Sequence, residues 1–89
     1  MAVAGSSVLV LGDGIAVAIA WDPLHRPIPT RTAIGRAARA TQLLGLARRR
    51  ALPVHRDAEL AVLLATDEGP VPERLWAQLA DVVAAVRRR

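Results

Sequence analysis

Gly12-Asp13-Gly14 is the first place in this 89-residue chain where residue types and spacing could do chemistry. A Gly-x-Gly after an apolar strand such as Val8–Leu11 can open a phosphate-cradling turn, provided a helix N-terminus follows it. Here Ile15–Trp21 continues as a second strand, so the dinucleotide reading fails on context. His25 and His55 lie thirty positions apart, and neither sits in a His-x-x-x-His or carboxylate spacing that would suit a metal. Both are expected at the surface or satisfied by a local hydrogen bond. Ser6 and Ser7 precede the fold and lack a nucleophile elbow. Asp13, Asp22 and Asp57 each stand where a turn or helix cap favours aspartate for backbone reasons. No acid–base pair, metal site or cofactor is expected, and ordinary catalysis is set aside.

The elements that must hold these residues can be read along the chain. Asp13-Gly14 between two apolar runs predicts a hairpin, since both residues tolerate positive φ. Ile-Ala-Val-Ala-Ile-Ala-Trp alternates large with small, which predicts a strand covered on both faces, with Ile15, Val17, Ile19 and Trp21 on the tighter one. Three prolines in Pro23–Pro29 predict an extended surface connection, and Thr30–Ile34 an edge strand closed by Gly35. Arg36–Arg50 has a helical stripe of Ala40, Leu43, Leu44 and Ala47. A short strand is expected at Leu52–His55. Asp57 should cap a helix over Ala58–Thr66 that buries Leu60, Ala61, Leu63 and Leu64. Asp67–Pro70 reads as a turn. Pro72 suits the first position of a last helix with Leu75, Leu79, Val82, Val83 and Val86 inward. The prediction is one small α/β domain over residues 1–89, ordered from about 8 to 87. It has an about four-stranded mixed sheet packed with three helices, in the order β-β-β-α-β-α-α.

Composition narrows the function classes. Hydrophobic residues are 53% and charged ones 22%, a globular balance. A chain of this size buries roughly 60–65% of its unfolded surface, which leaves no room for a large substrate cavity. Cysteine is absent, so disulfides, thiolate metal sites and a thiol nucleophile are excluded. Apolar runs fall far below the ~20 residues of a membrane span, and Met1–Ser7 does not resemble a signal peptide, so a cytoplasmic protein is expected. All twelve basic residues are arginine, and the net charge is +4. Arg48–Arg50 and Arg87–Arg89 sit at expected helix ends, where cations oppose the negative end of the dipole; phosphate or lipid-head contact is the alternative role. Two Trp are the only aromatic residues, so the stacking platforms of single-strand nucleic-acid binders are missing.

Taken together, the order of short motifs resembles the cytoplasmic C-terminal domain of the type III secretion and flagellar export-apparatus switch proteins (the FlhB/YscU/HrcU-like family). The residues that carry the likeness are Ile15-Ala16-Val17-Ala18-Ile19-Ala20-Trp21-Asp22, Pro29 and Gly35, followed by Leu52-Pro53-Val54. Leu60-Ala61-x-x-Leu64 and Pro72-Glu73-Arg74-Leu75-Trp76 complete it. The likeness covers about Val8 to Val86, with a shorter loop at Asp67–Val71. It implies a domain that receives export substrates and helps set which class is secreted.

The resemblance also implies a loop reading Asn-Pro-Thr-His between the first two strands, cut between Asn and Pro. In that chemistry the Asn carboxamide nitrogen attacks its own main-chain carbonyl and forms a cyclic imide as the next peptide bond breaks. Leu11, Gly12, Asp13 and Gly14 occupy that loop here, and the chain contains no Asn. Self-cleavage is therefore expected to be lost, and slow imide formation at Asp13-Gly14 would be ageing chemistry. The resemblance further implies a partner-binding patch at Ile28, Pro29, Ala80 and Val83, with Trp76 packing nearby. The expectation is a non-cleaving, stand-alone, monomeric adaptor or regulator of type III export. It would sit in the cytoplasm or peripherally at the inner membrane, and bind export-gate cytoplasmic domains and export substrates. A small basic nucleic-acid-binding module, suggested by the Arg clusters, is the alternative.

Overall fold

The computed structural model describes residues 6–22 and 26–87. Strands β1 (Ser6–Gly12) and β2 (Ile15–Asp22) form the expected hairpin, paired from Ser6↔Trp21 to Gly12↔Ile15. Asp13 and Gly14 take φ of 55° and 69°, the two positive values that a tight two-residue turn requires. Strand β3 (Arg26–Arg36) pairs antiparallel with β2, and β4 (Val54–Arg56) parallel with β1. A two-residue strand β5 (Gly69–Pro70) pairs with β3. The mixed sheet runs β4-β1-β2-β3-β5. Helices α1 (Ala38–Arg49), α2 (Ala58–Leu64) and α3 (Trp76–Arg87) complete the α/β domain. No helix among the described residues is long and apolar enough to cross a membrane.

The alternation of β1 and β2 sorts the core into two layers. Val8, Val10, Val17 and Ile19 pack with α2 and α3, joined by Ile15, Trp21 and Ile34. Leu9, Leu11, Ala16 and Ala18 face the other way, against Ala40, Leu43, Leu44 and Ala47 of α1. Small residues of β2 therefore meet α1, and large ones meet α2 and α3, as the sequence pattern predicts.

Several local expectations are corrected. Residues 26–29 belong to β3 rather than to a surface connection, and β3 lies between β2 and β5 rather than at the edge. Its prolines are tolerated because the register slips there, with Ala20↔Thr30 and Asp22↔Arg26 leaving residues 27–29 opposite Trp21 alone. Residues 23–25 lie outside the described residues. Helix α1 starts at Ala38, not Arg36, because Ala37 takes φ 54° while its amide bonds to Gly14 O at 2.9 Å. The fourth strand comprises Val54–Arg56 in place of Leu52–His55. Helix α2 ends at Leu64, and Leu63 is exposed, with Ala65 buried beyond the helix end instead. Gly69–Pro70 is a strand, not only a turn. Pro72 caps a 3-10 turn, Glu73–Leu75, which runs into α3.

The cap of α1 makes a testable case. Leu52 N bonds to Ala47 O at 2.8 Å and Ala51 N to Arg48 O at 3.2 Å, a Schellman closure in which Ala51 holds φ 55°. Meanwhile Gly45 occupies the helix interior, where an added Cβ would touch nothing nearer than an Arg49 guanidinium nitrogen at 3.9 Å. Ala51→Gly and Gly45→Ala are each expected to stabilise the domain by about 0.5–1 kcal/mol, measured by urea denaturation. Loss of stability in Ala51→Gly would contradict this cap assignment, and loss in Gly45→Ala would contradict the open space beside that helix position.

Candidate functional site: the β1–β2 turn and the α3 stripe

The turn at Leu11–Gly14 is held from three sides. Leu11 is half-buried against the α1 layer, and its carbonyl accepts the Asp57 amide at 2.9 Å, which continues the β1–β4 ladder. Gly14 O accepts from Ala37 N. Gly12 presses on the start of α2, so that a Cβ there would collide with the Ala58 backbone, 2.6 Å from its nitrogen. Asp57 is extended and its carboxylate accepts from Leu60 N at 3.0 Å, the predicted cap. Only Asp13 and Gly14 are exposed. The turn thus offers a leucine, two glycines and one exposed carboxylate. None of these supplies a side-chain amide nucleophile.

The four patch residues fall in different settings. Ile28 is 47% exposed, the Pro29 side chain is fully buried, Ala80 is exposed and Val83 half-buried. Pro29 and α3 are linked through Val71: Val71 N donates to Pro29 O at 2.9 Å, and Trp76 Nε1 donates to Val71 O at 2.9 Å. Trp76, Ala80 and Val83 recur at i, i+4 and i+7, one stripe beside the inward-facing Leu75, Leu79 and Val82. Pro29 therefore supports the Val71–Trp76 segment, and of the four residues only Ile28, Ala80 and Val83 keep solvent-facing surface. Val71, which the sequence reading placed only in a loop, buries its side chain in the core and makes this link through its backbone.

His55 lines an open cleft of about 350 Å³ between β4 and α3, with Asp57, Gln78, Asp81, Val82 and Ala85. Its Nδ1 is buried without a hydrogen-bond partner among the described residues, which replaces the expected surface or satisfied histidine. His25 lies outside the described residues. Among the described residues no three of His, Cys, Asp and Glu converge as metal ligands.

With this geometry in view, comparison with known families is decisive. The model of the FlhB HrpN YscU SpaS family, a bacterial export family, matches residues 1–86. The chain belongs to this family. Crystal structures of the EscU C-terminal domain share its fold. One, with an Asn-to-Asp substitution, superposes with a TM-score of 0.82 at 25% identity, covering 91% of this chain and 78% of that one. Two others, with the same asparagine changed to alanine or the proline after it changed to alanine, superpose at 0.81 and 25% identity. Each covers 91% of this chain, and 85% and 84% of its own respectively. No curated protein matches the chain. As a FlhB/YscU-family domain similar to the C-terminal domain of an export switch protein, it has a type III export-related role.

Proposed function

We propose that this FlhB/YscU-family domain acts by binding and not by cutting, as a monomeric, non-cleaving adaptor or regulator of type III protein export. The supporting observation is chemical. The EscU domains carry an asparagine followed by a proline at the substituted positions, whereas this chain has no asparagine at all and reads Leu11-Gly12-Asp13-Gly14 in its hairpin turn. Without a side-chain amide the imide-forming attack has no nucleophile. Recognition is what remains: export-gate cytoplasmic domains and export substrates dock on Ile28, Ala80 and Val83 in the cytoplasm, at the inner-membrane export apparatus.

Two measurements test this. Intact mass after prolonged incubation is expected to give a single chain of 9.5 kDa, and fragments meeting at Gly12 would overturn the proposal. In pull-down with export-gate cytoplasmic domains, an Ile28→Asp, Val83→Asp double variant is expected to lose at least about tenfold in affinity while keeping its fold. A partially desolvated apolar contact opposed by a new carboxylate costs at least ~1.4 kcal/mol. Consistent absence of binding by the unmodified domain would refute the adaptor role.

A further inference from the structure

Strand β5 does not close the edge of the sheet. It is two residues long and pairs with the eleven-residue β3 only at Thr30 and Arg31. Its own outer side is blunted: Pro70, opposite Thr30, has no N–H, and its carbonyl accepts Arg31 Nη2 at 2.6 Å. Beyond Arg31, β3 continues to Arg36 with no further strand on that side among the described residues. One bond fixes where its backbone groups point there. Ala37 N donates to Gly14 O at 2.9 Å and extends the pairing of β3 with β2. Alternate residues of an antiparallel ladder face the partner strand, so Ala33, Gly35 and Ala37 face β2, whereas Ile34 and Arg36 point away from it. On that outer side Ile34 O accepts from Arg39 Nε at 3.4 Å.

This long contact accounts for an otherwise misplaced charge. Arg39 stands in the first turn of α1, at the positive end of the helix dipole, and no acidic residue there offsets it. Its exposed side chain reaches the β3 edge and takes an acceptor that a neighbouring strand would use. The Arg36 side chain is turned aside, donating to Ala65 O just past α2.

We propose that the Ile34–Arg36 edge of β3 accepts a short extended segment of a partner polypeptide, with an acidic residue of that segment paired to Arg39. Backbone groups two residues apart on one side of a strand are matched by another extended backbone, and strand addition to an open edge is a recurrent way of holding a peptide. Charge selects the segment. A carboxylate draws Arg39 off Ile34 O, which then accepts from the incoming strand. Asp67 and Glu68 precede β5 at the other end of this edge, so the acidic residue belongs at the Arg39 end. A second copy of this chain is a poor occupant, since two paired β3 edges would bring both sets of Arg36 and Arg39 together.

Amide hydrogen exchange by NMR and peptide titration test the proposal without any export component, so the outcome is separate from that of the partner pull-down. In the domain alone, the Ile34 and Arg36 amides are expected to exchange at least about tenfold faster than the Gly35 amide. Adding acetyl-Thr-Val-Thr-Val-Glu-amide should slow both. Lysine in place of the glutamate should weaken binding about fivefold. The same peptide N-methylated throughout should lose at least about tenfold, because it cannot donate to a ladder. In Arg39→Gln, with the fold checked by circular dichroism, the preference for glutamate over lysine should vanish. Slow exchange of Ile34 and Arg36 in the dilute domain, no binding of the acidic peptide, equal binding of its lysine or N-methylated form, or a glutamate preference that survives Arg39→Gln would each overturn it. Protection of the two amides that rises with domain concentration alone would overturn it in favour of a second copy.

Discussion

Arg31→Met is expected to lower the melting temperature by roughly 15 °C, the equivalent of about 3 kcal/mol in a domain of this size. Arg31 is only 6% exposed, and its guanidinium is satisfied by neutral oxygens. Nε donates to Gly69 O at 3.3 Å, Nη1 to Leu64 O at 3.1 Å and Thr66 Oγ1 at 2.8 Å, and Nη2 to Pro70 O at 2.6 Å. These bonds tie the end of α2 and all of β5 to the middle of β3, across 33 to 39 positions of chain. Methionine fills similar volume but leaves the buried Leu64 carbonyl without this donor, and each such loss costs about 1–3 kcal/mol. Arg31→Lys should recover little, because one ammonium cannot span four acceptors in the geometry of a planar fork. Arg74→Met, at an exposed position, serves as the control and should change stability by no more than about 0.5 kcal/mol. A melting temperature for Arg31→Met within a few degrees of the unmodified chain would show that the network contributes nothing net.

The other large effect is expected at Gly12. Gly12→Ala should destabilise by about 3 kcal/mol or more, because the new methyl meets the Ala58 backbone, which cannot rotate aside as a flexible side chain would. Gly14→Ala offers the internal comparison. Its Cβ meets nothing within 4 Å, so only the cost of holding alanine at φ 69° remains, about 1 kcal/mol. Denaturant midpoints of the two variants decide the matter; equal costs would show that α2 simply shifts away from the turn. The same contact bears on cleavage. Leu11→Asn, Gly12→Pro restores the two residue types that follow each other in the EscU domains, yet proline also places a Cβ against Ala58. That variant is expected to lose its fold rather than to regain a cut. Two fragments from a folded double variant would refute this.

How legible the domain was depends on the range of the forces involved. Asp13-Gly14 announced its hairpin because positive φ is a property of those two residues. The large–small alternation of Ile15–Trp21 announced a strand covered on both faces, and the Ala40–Ala47 stripe announced which side of α1 packs. Short elements were harder. Gly69–Pro70 has no strand propensity of its own and pairs with β3 beneath the Arg31 side chain. Leu63 fits a helical stripe, but a seven-residue helix has too few turns to average its pattern, and packing turned that side chain outward. Ala37 delays α1 because a carbonyl twenty-three positions earlier takes its amide.

The amino-acid string alone settled the hairpin turn, the doubly covered strand, the family resemblance and the absence of any carboxamide nucleophile at the turn, since torsional preference and side-chain chemistry travel with each residue. It also held the uneven arginine distribution. Which guanidinium is buried and which stay exposed emerged only from the tertiary structure. Those are properties of distance between chain-remote groups, and distance is set by how the sheet stacks its two helical layers.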